Sequence, residues 1–61
     1  MNEYLSKVSV NDYTLFRNEV IKRTGWTRTQ FNDRKIGRVK LSKLEREVIE
    51  QVIHEINTEQ L

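Results

Sequence analysis

VIKRTGWTRTQFNDRKIG, from Val20 to Gly37, is the stretch whose reading decides the fold. Val20 to Thr24 read as the end of a helix, and Gly25 as the residue that closes it. Glycine accepts the left-handed conformation other residues resist, which suits the position just past a helix C-terminus. Thr27 then opens a second helix, and Gln30, three residues on, completes the spacing of a capping box. Trp26 before the cap and Phe31 four residues after it fit a hydrophobic staple, which fixes the angle of entry. Gly37 ends the second helix. Two helices joined at a set angle by a glycine turn form a helix-turn-helix layout, whose second helix can enter a DNA major groove.

Working outward, the helix before the turn is expected over about 11–24, capped by Asn11 or Ser9. Tyr13, Phe16, Val20 and Ile21 share one of its faces. The second helix is expected over about 28–36, followed by a basic connector at 38–41. Ser42 caps a third helix over about 43–57, with Glu45 at the capping-box spacing. Leu44, Val48, Ile49, Val52, Ile53 and Ile56 form a continuous apolar stripe along that helix. Five of these six are isoleucine or valine, β-branched and poor helix formers alone, so the helix depends on burying the stripe. Residues 1–10 read as an arm or a short helix. The expectation is one all-α domain over 1–61, a small three- to four-helix helix-turn-helix unit.

Composition narrows the classes further. A 61-residue chain buries only about 60% of its unfolded surface and is correspondingly marginal. Cysteine is absent, which removes disulfides and thiolate metal ligands and makes a cytoplasmic setting the simplest expectation. No apolar run approaches the ~20 residues that span a bilayer, and no signal-peptide core is evident at the N-terminus. The net charge of +2 conceals a strong asymmetry. Residues 22–43 hold eight lysines and arginines against the single acid Asp33, whereas residues 44–61 hold five glutamates against Arg46. Positive charge therefore clusters on the turn, second helix and connector, where a phosphate backbone would lie. No nucleophile–base pair, metal-ligand cluster or phosphate-binding glycine loop is present, so the chain reads as a non-enzyme with no cofactor and no metal. His54, the only histidine, reads as a solvent-exposed side chain on the acidic helix.

Around an inward Phe31, the second helix offers Arg28, Thr29, Asn32 and Asp33 as candidate base contacts, side chains able to hydrogen-bond base edges. Arg28 stands at the helix N-terminus, the end that usually points at the bases. Lys22, Arg23, Thr27, Lys35, Arg38, Lys40 and Lys43 are the candidate backbone contacts, which position without specifying sequence.

From Val20 to about Ile53 the chain resembles the Cro/lambda-repressor-like (XRE) helix-turn-helix family. The resemblance lies in Val20 to Gly25, in Trp26 to Phe31, and in Gly37 with its basic connector and Leu41-Ser42. It implies a positioning helix ending at Gly25 and a recognition helix with Phe31 as its buried position. It also implies base contacts at Arg28, Thr29 and Asp33 or Asn32, with backbone contacts at Thr27 and Arg38. The chain departs from the family pattern at Ile21, where a small alanine is usual, and at Arg34, where an apolar residue is usual. The resulting expectation is a sequence-specific duplex DNA-binding protein, a small transcriptional regulator of phage, plasmid or mobile-element type. A homodimer through the 44–56 stripe is expected with it. The competing expectations are a helical protein–protein interaction module and a non-specific nucleic-acid binder.

Overall fold

Burial of one face of the last helix organises the rest of the chain. The computed structural model describes residues 1–59, so the last two positions of the expected 1–61 domain lie outside the described residues. It is a small all-α domain: α1 (Asn2–Leu5), a 3-10 turn (Val10–Asp12), α2 (Tyr13–Thr24), α3 (Arg28–Lys35) and α4 (Lys43–Glu59), with no strand among the described residues.

The expected capping box starts α4. The Glu45 amide donates to Ser42 Oγ at 3.2 Å, and the Ser42 amide donates to Glu45 Oε1 at 2.9 Å. Ile49, Val52, Ile53 and Ile56 are buried, and Val48 packs against them. α2 lies along this face and contributes Phe16 and Val20, both with no exposed surface. Phe31 of α3 meets Phe16 edge to face, ring centres 6.4 Å apart and planes at 68°. Such pairs add about 0.5–1.5 kcal/mol to the gain from burial itself. α1 brings Tyr4 into the same core, where its hydroxyl donates to Glu50 Oε1 at 3.2 Å. Burial, with the Glu50 carboxylate beside it, pushes the phenol pKa above its ordinary value. The first ten residues thus contain a short helix that plugs the core rather than a free arm.

Several expectations need correction. The first long helix begins at Tyr13, not at 11, and neither Asn11 nor Ser9 caps it. The chain enters it through the 3-10 turn, where Ser9 Oγ donates to Asp12 Oδ2 at 2.9 Å. The second helix stops at Lys35, and the last one continues to Glu59 instead of ending at 57. The inner residues of the 44–56 stripe, expected as a dimer face, are taken up by the chain's own core. Only Leu44, 73% exposed, remains outside it. Among the described residues, no helix is long and apolar enough to cross a membrane.

Candidate nucleic-acid interface

Both ends of α3 are set by local hydrogen bonds. At the close of α2, Thr24 Oγ1 donates to the Val20 carbonyl at 2.7 Å and accepts the Trp26 amide at 3.3 Å. Gly25 follows with φ +78°, and its amide reaches the Ile21 carbonyl at 2.9 Å. This is the single-bond left-handed helix stop. Thr27 then caps α3 as expected: its Oγ1 accepts the Gln30 amide at 3.1 Å, and Gln30 Oε1 accepts the Thr27 amide at 2.8 Å. At the other end Gly37 has φ +85°. The Arg38 amide bonds to the Asp33 carbonyl at 2.8 Å and the Gly37 amide to the Arg34 carbonyl at 3.3 Å. That pair of bonds is the Schellman motif.

Between these caps only Phe31 is buried. Arg34, the departure at a normally apolar position, resolves as a stacked cation. Its guanidinium lies 4.5 Å from the Trp26 ring centre and donates to the Gln30 carbonyl at 3.0 Å. Its Nε stands 3.7 Å from Glu45 Oε2, beyond hydrogen-bond reach. The flat guanidinium covers the half-buried indole as an apolar side chain would, and ties α3 to the start of α4. Ile21, the other departure, is half-buried and packs against the core.

Of the candidate base contacts, Arg28, Thr29 and Asn32 are exposed, with no side-chain partner among the described residues. Asp33 differs. It is half-buried, and its Oδ1 lies 3.7 Å from the Arg38 guanidinium, so it serves the helix end.

The backbone candidates divide in the same way. Lys22, Lys40 and Lys43 are exposed and form no ion pair among the described residues. The Arg38 side chain is 72% exposed despite facing Asp33. Thr27 is exposed, and its hydroxyl hydrogen is left over by the cap. Lys35 is held over the Tyr13 ring at 4.8 Å. Arg23 is engaged elsewhere: it grips both oxygens of Glu55 at 2.6 and 2.9 Å and approaches Glu19 at 3.4 Å. Hydrogen bonding from Arg23 holds the Glu55 carboxyl down to about 2, and Glu55 pushes the guanidinium pKa up. Arg23 therefore cross-links α2 to α4 and leaves the phosphate-contact set.

One cation escaped sequence reading. Arg46 is exposed in the first turns of α4 and faces the connector beside Lys40. The acidic composition of that helix hides it, although its spacing of three from Lys43 places the two on neighbouring positions. His54 is exposed, as expected. No group of three or more histidine, cysteine, aspartate or glutamate side chains suited to a metal ion occurs among the described residues. No family model, curated protein or solved structure matches the chain.

Proposed function

We propose that this protein binds duplex DNA by placing the exposed face of α3 in the major groove. In this reading it is a small cytoplasmic transcriptional regulator of the kind carried by phage, plasmids and other mobile elements. The observation that carries it is the trio Arg28, Thr29 and Asn32. They stand on a helix fixed at both ends, and their side chains have no partner among the described residues. An arginine there matches the O6 and N7 acceptors of guanine, and an asparagine matches the edge of adenine. Lys22, Thr27, Arg38, Lys40 and Lys43 surround the trio as backbone contacts. The resemblance of residues 20–53 to the Cro/lambda-repressor-like family supports the same docking. Two copies on a palindromic site would meet through a face other than the 44–56 stripe.

The test is fluorescence anisotropy with random duplex DNA across a salt series. Lys40→Ala should weaken binding to all sequences alike and flatten the salt slope by about one unit. On a selected site, Arg28→Ala should remove about 1–3 kcal/mol of preference at a single base position. Absence of binding by the intact protein at low salt overturns the proposal. It would favour a protein-docking module, for which exposed Ile36, Val39 and Leu44 around the connector supply apolar contacts.

A further inference from the structure

A cavity of about 290 Å³ opens on the side of the molecule where α1, the connector 36–42 and the first turns of α4 meet. Arg34, Lys40 and Arg46 line it, opposed by one carboxylate, Glu3. Lys40 and Arg46 have no ion-pair partner among the described residues. Arg34 is fixed by its stack on Trp26 and its bond to Gln30, so one edge of the cavity is a guanidinium already held in place. Met1, Val39 and Leu41 add apolar side chains to the lining, and Gly37 completes it.

We propose that this cavity binds a phosphate group carried on a small apolar or ring-bearing body. In the lining three cations stand against one carboxylate, and the ~−2 charge of a phosphate monoester meets that positive surface more strongly than the single charge of a carboxylate. Glu45 sits behind Arg34 at 3.7 Å from Nε and lowers this excess without lining the cavity. Guanidinium and ammonium groups are the side chains that recognise phosphate best, and Arg46 and Lys40 are free to turn toward it. The volume equals roughly ten water molecules' share of liquid, room for a phosphate and a ring together. A ligand seated there would touch α1, the connector and α4 at once, and through Arg34 the end of α3.

The experiment is an amide-resonance titration of the full chain by NMR with phenyl phosphate and with inorganic phosphate. Saturable shifts are expected at residues 37–41 and 46, with phenyl phosphate binding more tightly because of the apolar lining. Arg46→Gln should weaken binding about tenfold, the scale of one charge-assisted hydrogen bond. Glu3→Gln should tighten it several-fold. Shifts that do not saturate, or that are unchanged by Arg46→Gln or weakened by Glu3→Gln, overturn the proposal. Both substitutions fall on exposed side chains, and thermal melts verify that the variants fold. Adding a short duplex then identifies the phosphate's source. Displacement of phenyl phosphate assigns the site to a backbone phosphate, and co-binding assigns it to a free phosphate monoester. The titration without duplex stands whether or not the chain binds DNA.

Discussion

Replacing Gly25 by alanine tests the turn on which the placement of α3 depends. Gly25 has φ +78°, and a Cβ built there meets no atom within 4 Å. A steric clash with the surroundings is therefore absent, and the cost is only that of holding an L-residue in the left-handed region. That cost is roughly 1–2 kcal/mol. At ~0.05–0.15 kcal/mol per residue, a chain of this size has a total stability of about 3–9 kcal/mol. The variant should still fold, but with its reserve visibly reduced. For so small a domain each kcal/mol lowers the melting temperature by about 4–8 °C, so Gly25→Ala should melt about 4–16 °C earlier. Thermal denaturation followed by far-ultraviolet circular dichroism reads this directly. Gly25→Asn is the control, since asparagine tolerates the left-handed conformation and should lose less. An unchanged melting temperature for Gly25→Ala would refute the turn geometry. Complete unfolding would refute the open space around it.

Thr27→Ala removes the oxygen that accepts the Gln30 amide and should cost about 1 kcal/mol in urea denaturation, whereas Thr27→Ser should cost far less. An equal loss in both would show that the methyl group, not the cap, matters. The Arg23–Glu55 pair makes a pH-dependent contribution. Glu55 titrates at about 2 in the fold against an ordinary 4.5, so its contribution is full above pH 4.5 and is lost as pH falls toward 2. Wild type should therefore lose more melting temperature than Glu55→Gln across that window, and high salt should narrow the gap. Parallel acid curves for the two proteins would sink this assignment.

The parts of the fold legible in the sequence were those fixed by contacts between near neighbours. The two capping boxes, the two left-handed glycines and the apolar stripe each follow from residues a few positions apart. The start of α2 was not legible. Ser9 and Asn11 are both competent caps, and the choice of a 3-10 entry turn instead depends on how α1 packs. The role of α1 was equally hidden, because Tyr4 is one aromatic residue whose burial is decided by α4, more than 40 positions away. Among the site candidates the same division holds. That Arg28 and Asn32 are exposed follows from helix period once Phe31 points inward. That Arg23 pairs with Glu55 is a contact across 32 residues, and spacing could not foretell it.

The distribution of tasks within α3 is the strongest argument for an intermolecular role. An eight-residue helix is too short to persist alone, and a single buried side chain gives it little hold on the core. It is kept in place by Phe31, by the caps at Thr27 and Gly37, and by Arg34 stacked on Trp26. All of these act from its ends or its inner side. Asp33 and Lys35, polar residues near its C-terminal end, are also engaged, with Arg38 and Tyr13. Arg28, Thr29 and Asn32 remain, adjacent on the outer face and near the positive end of the helix dipole, where an unpaired arginine is slightly unfavourable. Stability alone would place an acid at that first turn. A cation there is accounted for when its partner is an anion or an acceptor edge supplied by another molecule.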